Sequence, residues 1–411
     1  MNKEIKKIIS EVIEEIKPPS NSLDKANEFI RELNFLLSEN KIDANAVLGG
    51  SMAKNTHLKN DYDADVFVKF NKKYKGDDIS SILEKALKKK YLLERVKGSR
   101  DYFHIKKEFL FEVVPVLDVE SINDAENVID MSPMHVNYFK NNGKELEDDV
   151  RLLKYFMKAN RVYGAESFIN GFSGHVVDLL IIKYKSFFNT LKAAKIWKPK
   201  VIIDLEKKLK DPLMELDREK ISGPLIIVDP VQENRNAAAA LSDDCFEKFK
   251  IASNEFIKNP SKKFFERKDA KQVLIDEYKH EHVFELIIEP MRGNEDIVGT
   301  KILKLLKFIH TKLKENDFKT EFNWDFGYPT KAYFSTNTTT LDAKKIVRGP
   351  PTNIKKHCDL FKNKHESVFE RDNFLYAEIK RKYTNIKTMI HDLLNDEHVT
   401  SRCKSIKLAH K

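Results

Sequence analysis

Two acidic residues, one position apart inside a strongly apolar run, constrain this chain more than any other feature. The run is Asp63-Ala64-Asp65-Val66-Phe67-Val68, and eleven residues separate it from an upstream Gly49-Gly50-Ser51. Side chains alternate across a strand, so Asp63 and Asp65 face one way, about 7 Å apart, while Ala64, Val66 and Val68 face a core. Two carboxylates on one strand face repel each other. The arrangement becomes favourable when they share divalent cations. Magnesium takes a few carboxylates together with substrate phosphates, and two such ions roughly 3.5–4 Å apart serve in-line phosphoryl transfer. Asp61 falls on the same face and competes for the role of first ligand, with Asp63 then the second. The direct continuation into Val-Phe-Val favours Asp63 and Asp65. An edge strand with solvated acidic decoration is the alternative.

The upstream turn adds chemistry to that strand. Glycines let a backbone turn tightly and approach a phosphate, and the exposed N–H groups form an anion nest. Ser51 offers a hydroxyl to a triphosphate oxygen, and Lys54, one helical turn later, adds charge. Read alone, the same residues make an ordinary strand-to-helix turn. A third acid, Glu112, lies within Phe111-Glu112-Val113-Val114-Pro115-Val116, where an unpaired buried charge is costly. Metal coordination accounts for it; a partner lysine, Lys106 or Lys107, is the competing account.

The remaining chain sets the frame. At 411 residues it exceeds one core, and 41% hydrophobic content supports several. A net charge of +9 suits a polyanionic partner without requiring one. Cys245, Cys358 and Cys403 are scattered and odd in number, which argues against a disulfide framework or a zinc site. Residues 1–40 read as two amphipathic helices split by Pro18-Pro19, with no signal peptide. No apolar run approaches a membrane span. A cytoplasmic, reducing setting is expected. Residues 44–118 carry strand signals and 132–260 read as helical. Further on, 282–289 and 321–326 read as strands and 302–313 as a helix. Residues 352–411 read as basic and helical. The fold class is α+β and multi-domain, with units expected at 1–140, 141–258 and 259–411.

Two helical segments carry further candidates. Ser132-Pro133 is a helix start with Ser at N-cap and Pro at N1. His135 then falls in the first turn, where N–H groups favour phosphate; a capping or surface histidine is the plain alternative. Arg151, Lys154, Lys158 and Arg161 recur as one basic stripe beside an apolar stripe of Val150, Leu153 and Met157. Such a stripe is usually a solvated face, but this one ends at Tyr163-Gly164, where a ring can stack on a ribose or base. Arg235-Asn236 can offer paired hydrogen bonds to a base edge.

The segments GGSMAKNTHLKNDYDADVFVKF, FEVVPV, SPMHVNYF, VRLLKYFMKANRVYGAESFINGFSGH, DPVQENRNAAAALS and RGPP occur in that order over residues 49–351. Together they resemble the DNA polymerase β-like nucleotidyltransferases, and within them the archaeal (class I) CCA-adding enzymes. One departure is Glu112, where the family usually has Asp; the extra methylene keeps the charge and ligand type. The resemblance implies a polymerase β-like catalytic head of mixed sheet and helices. It also implies a helical central domain completing the nucleotide pocket, and an RRM-like C-terminal region with a tail that binds tRNA. Asp63, Asp65 and Glu112 would hold two Mg2+ ions. Gly50, Ser51 and Lys54 would bind the triphosphate of ATP or CTP. His135, Lys154 and Tyr163 would complete the pocket, with Arg235 near the base.

The implied activity is stepwise, template-independent addition of C, C and A to the 3′ end of tRNA, with release of pyrophosphate. Rival readings are a poly(A) or oligoadenylate polymerase on the same head, and a non-catalytic tRNA-binding protein. The oligomeric state stays open, a homodimer included. Beyond residue 260, Lys355, Lys356, Lys362, Lys364, Lys380, Arg381, Lys382, Lys404 and Lys407 are interleaved with Phe361, Phe369, Phe374, Tyr376 and Tyr383. The charge would hold RNA phosphates in a salt-sensitive way, and an acceptor stem is read mostly by shape and backbone.

Overall fold

The structure, a computed structural model, describes residues 3–60 and 63–409. Asp61, the competing first ligand, lies outside the described residues. The chain divides into two compact units, Met1–Arg267 and Lys268–Lys411. Among the described residues no helix is long and apolar enough to cross a membrane.

The first unit opens with helices α1 (Lys3–Ile16) and α2 (Asp24–Glu39) on either side of the proline pair. A five-stranded sheet follows, built from β1 (Ala44–Leu48), β2 (Asp63–Phe70), β3 (Glu94–Val96), β4 (Tyr102–Lys106) and β5 (Leu110–Leu117). The one-turn helix α3 (Gly50–Ala53) links β1 to β2, and α4 (Ile79–Leu87) lies between β2 and β3. The strand order is β1-β2-β5-β4-β3, with β2 and β5 parallel and the other pairs antiparallel.

Alternation sorts the sheet into two faces. Ala64, Val66, Val68, Phe70, Phe111 and Val113 point to one side and form a core with α2 and α4. Phe29 of α2 stacks on Phe111 with ring centroids 3.9 Å apart. Burying each such aromatic contributes about 1.5–3 kcal/mol. On the other face, Phe67, Val114 and Val116 meet Val136 of α5 (Ser132–Asn142). Apolar side chains close only the far end of that face. The end that carries the acids stays open.

The rest of the first unit is helical: α6 (Glu147–Ala159), α7 (Gly174–Tyr184), α8 (Phe187–Ile196) and α10 (Asp243–Lys258), with a short α9 (Pro212–Glu215). Ser173, Ser186 and Ser242 cap α7, α8 and α10 by accepting from the third backbone N–H beyond. A two-stranded parallel pair, β6 (Val201–Asp204) and β7 (Leu225–Val228), crosses this region. The core gathers Phe156, Phe187, Phe249, Phe256 and Phe265. Helix α1 lends Ile5, Ile8, Val12 and Ile16 to this helical core, not to the sheet.

Two local expectations change here. Helix α5 begins at Ser132 with Met131 as its N-cap, because Asn127 already caps the preceding 3-10 turn, Val128–Met131, in a capping box. The basic stripe of α6 is not a solvated face. Arg151 is 2% exposed and Lys154 is 7% exposed. Arg151 donates from Nε to the His57 carbonyl at 3.1 Å and from Nη2 to Asn55 Oδ1 at 2.9 Å. It also pairs with Asp148.

The second unit contains α11 (Ala270–Tyr278), β8 (His282–Glu289), α12 (Glu295–Glu315), β9 (Glu321–Asp325) and β10 (Thr330–Thr336). It continues with β11 (Lys344–Pro351), α13 (Lys355–Lys364), β12 (Ser367–Arg371), β13 (Phe374–Lys380), α14 (Ile386–Leu394), α15 (Glu397–Thr400) and β14 (Ser405–Leu408). An antiparallel sheet of order β14-β8-β10-β9 packs α12 and α14 on one face. Ala270 and Leu274 of α11 meet Tyr333 on the other.

A second sheet, β11-β13-β12, corrects the helical reading of 352–411. Asp372 and Asn373 both have positive φ, at 48° and 61°, the geometry of a two-residue hairpin loop. That turn reverses the chain between two alternating runs, so Arg371 pairs with Phe374 and Ser367 with Glu378.

Candidate active site

Strand pairing brings the separated acids together. In the parallel β2–β5 register Asp65 lies opposite Glu112, and Asp63 opposite Leu110. Phe111 and Val113 are buried on the far face, so Glu112 shares the open face with Asp63 and Asp65. Burial first, then the Glu112 charge, pushes the Asp65 carboxyl up to about 6; the charge of Asp63 adds to this, and those of Lys54 and Lys154 oppose it. The group of acids is thus unfavourable when fully ionised, and its donors are all oxygens. Both properties fit a hard divalent cation such as magnesium. The three acids are not drawn into a tight knot. Among the described residues, a different trio has all its ligand atoms within 4.8 Å of one another: His135, His175 and Asp229.

The glycine turn lies directly against the acids. Gly49 accepts the chain from β1 and donates its N–H to the Asp65 carbonyl at 2.8 Å. Gly50 has φ +49°, and a Cβ there would sit 1.6 Å from Asp65 Oδ2. Only glycine tolerates both the backbone and the close approach. Gly50→Ala should therefore displace either the turn or the carboxylate. Strain alone is about 1–3 kcal/mol, and Tm should fall by roughly 2–10 °C. A melting curve checks it; an unchanged Tm would show that the turn relaxes freely.

A cleft of about 360 Å³ opens beside this turn, lined by Ser51, Lys54, Asp63, Asp65, Lys154 and Tyr163 among others. Lys54 is held by Asp178 of α7, Nζ to Oδ2 at 2.5 Å, with both side chains nearly buried. The Lys154 and Lys158 ammonium groups lie 5.9 and 5.4 Å from the Tyr163 ring centroid. The site therefore sets three cations and one aromatic face opposite a glycine turn and a carboxylate pair.

A second opening of about 350 Å³ runs along the other side of Asp65 and Glu112 and reaches His135 and His175. His135 Nε2 lies 3.0 Å from Asp229 Oδ2. Arg235 donates from Nη1 to the same oxygen at 3.2 Å. His135 and Arg235, picked out separately in the sequence, are thus joined through Asp229. Burial would raise the Asp229 carboxyl, but His135 and His175 outweigh it and hold the group well below the usual range.

Several neighbours had no signal in the sequence. Asp178 lies outside every segment singled out in the sequence, whereas His175 and Asp229 end and begin two of the quoted segments but had no role of their own there. His104, on β4, lies directly opposite Glu112 on β5, with Nε2 3.2 Å from Oε1. Lys107, one of the two lysines considered as its partner, binds Glu32 at 2.8 Å instead.

Residues 27–129 match the nucleotidyltransferase domain family, and 148–266 match the family described as tRNA nucleotidyltransferase, second domain. The chain is 34% identical to the CCA-adding enzyme of Nanoarchaeum equitans, over 90% of this chain and 93% of that protein. It is 33% identical to the CCA-adding enzyme of Methanocaldococcus jannaschii, over 95% of this chain and 91% of that protein.

This chain belongs to the CCA-adding enzyme family. The CCA-adding fold also extends its likeness to distant solved structures. One is a cytoplasmic RNA terminal U-transferase, with TM-score 0.51 and 15% identity over 65% of this chain and 98% of that one. Another is the Cid1 poly(U) polymerase, with TM-score 0.52 and 15% identity over 65% of this chain and 100% of that one. At that identity the likeness concerns the fold alone, a polymerase β-like head within a mixed α and β chain.

Proposed function

We propose that this chain adds C, C and A, one nucleotide at a time and without a nucleic-acid template, to the 3′ end of tRNA. CTP and ATP are the donors and pyrophosphate leaves. The observation that carries this reading is the facing pair Asp65 and Glu112, set against a glycine turn that admits no side chain, in a chain of this family. In each cycle a bond forms between the RNA 3′ oxygen and the α-phosphorus, and the bond to the pyrophosphate oxygen breaks.

Asp63, Asp65 and Glu112 would hold two Mg2+ ions. When bound, such ions lower the pKa of the attacking hydroxyl and neutralise the leaving pyrophosphate. The side chains do the rest. Gly50 and Ser51 present the turn to the triphosphate. Lys54, kept in place by Asp178, and Lys154 supply charge to it. Tyr163 offers its ring to the sugar or base. His135 and Arg235, both anchored on Asp229, would line the base end of the pocket. His104 would steady the longer Glu112 side chain. Residues 1–140, 141–258 and 259–411 would serve as catalytic head, pocket-completing helical domain and RNA-binding region.

The surface of the second unit supports an RNA partner. None of Phe361, Phe369, Phe374, Tyr376 and Tyr383 is fully buried. The Arg348 guanidinium lies 3.7 Å over the Phe374 ring, and Phe369 stacks on Tyr376 at 5.8 Å. Stacked, cation-backed rings beside lysines suit an RNA backbone and its bases. The reading includes a reducing, cytoplasmic setting, in keeping with three free, buried cysteines.

A labelled tRNA lacking its last three nucleotides, incubated with CTP, ATP and magnesium, tests the proposal. Three additions and a stop are expected. Open-ended extension with ATP alone would favour a poly(A) polymerase, and no extension would favour a non-catalytic RNA-binding protein.

A further inference from the structure

Among the described residues, one compact set of ligand-type side chains is His135 of α5, His175 at the start of α7, and Asp229 just after β7. Their ligand atoms all lie within 4.8 Å of one another. His135 Nε2 is 3.0 Å from Asp229 Oδ2, and His175 Nε2 is 3.4 Å from the same oxygen. Tetrahedral zinc with bonds of about 2.0–2.1 Å sets its ligands roughly 3.3–3.4 Å apart, so both edges are close to the required size. The two rings lie 4.2 Å apart at 51°, which lets both nitrogens converge on one point.

The groups are also prepared for a cation. Asp229 is fully buried, and its Oδ1 is fixed by the N–H groups of Val231 at 2.9 Å and Gln232 at 3.2 Å. Oδ2 faces both histidines, and His135 Nε2 also lies 3.1 Å from Oδ1. His175 Nε2 is shut off from solvent and has no well-formed hydrogen bond, although it is a group that ordinarily finds a partner when buried. Arg235, the remaining contact of Oδ2, is 39% exposed and can swing to water. Both histidines line the opening beside Asp65 and Glu112.

We propose that His135, His175 and Asp229 form a second metal site, separate from the carboxylate pair, selective for a zinc-class transition ion over magnesium. Two imidazoles and one carboxylate suit zinc, cobalt or nickel, whereas magnesium prefers oxygen alone. The ion would tie α5, α7 and the segment after β7 together at one point. The proposal does not depend on which nucleotides or RNA the chain uses.

The test is Co2+ titration of the chelator-stripped full-length protein in excess Mg2+, followed by visible absorption and by Tm. One equivalent of Co2+ should give the d–d band of a four-coordinate nitrogen and oxygen site, without the sulfur charge-transfer band that Cys245, Cys358 or Cys403 would produce. His175→Gln and Asp229→Asn should each abolish the band and the ion-dependent rise in Tm, while Asp65→Ala keeps both. His175→Gln guards against loss of fold in the Asp229 variant. No band at one equivalent, a band that survives His175→Gln, or a band lost in Asp65→Ala would each overturn the assignment. Failure of nucleotide addition in the gel assay would leave it standing.

Discussion

Asp65→Asn should lower single-turnover nucleotide incorporation by about a thousandfold, since stabilisation of developing charge is worth several kcal/mol and each 1.4 kcal/mol is a factor of ten. RNA affinity should stay near that of the parent, because phosphate contacts supply most of it. The same substitution should stabilise the protein in magnesium-free buffer. Burial and the Glu112 charge raise the folded-state value of Asp65 from 3.8 to about 6. The unfolded chain therefore releases this proton first. The folded state loses stability as pH rises from about 4 to about 6, and nothing further is lost above that.

The loss is about 1–3 kcal/mol. It runs opposite to ordinary acid unfolding, where paired carboxylates lose stability as pH falls. Melting the parent and Asp65→Asn without magnesium at about pH 4 and about pH 7 separates the two effects. The variant should gain at the higher pH only, and adding magnesium should raise the parent's Tm and not the variant's. Equal gains at both pH values would show that Asp65 is not held in a crowded, partly buried carboxylate group.

Arg151→Ala should be the most damaging change to stability, by about 3–5 kcal/mol, through a cavity and buried acceptors left without donors. The guanidinium is 2% exposed. It bonds the His57 carbonyl, both oxygens of Asn55, and Asp148. These contacts pin residues 55–57, between the glycine turn and β2, onto α6. Lys54 immediately precedes this segment, so loosening it should also raise KM for the nucleotide. A drop in Tm of roughly 6–20 °C is expected for a unit of this size. Arg151→Lys should recover little, because a point ammonium cannot reach several acceptors as a fork does. A full recovery with lysine would mean that charge alone matters here.

The Arg151 case shows where local reading ends. Its spacing with Lys154 and Lys158 describes one helical stripe, but periodicity says only which residues share a face. Whether that face meets water or the 55–57 segment depends on a contact between residues about a hundred positions apart. The hairpin at Asp372-Asn373 differs, because its signal was present: two turn-forming residues between alternating runs. The surrounding lysines and the spacing of apolar residues read as helix, and pairing with β11 settled the conformation. Glu112 lies between these cases. Its alternation with Phe111 and Val113 marked the strand and the face, but not the neighbour.

Local chemistry alone determined a good deal about this protein. A strand with two acids on one side, a glycine turn before it, a third acid inside an apolar run, and capped amphipathic helices all follow from side-chain alternation, backbone sterics and helical period. Tertiary structure decided the partners. The parallel register set Asp65 beside Glu112. The packing of α7 brought Asp178 to Lys54, and the turn after β7 brought Asp229 to His135 and His175. Each of these contacts closes a long loop. Its free energy depends on the whole core that holds the ends together, and no short window of sequence carries that information.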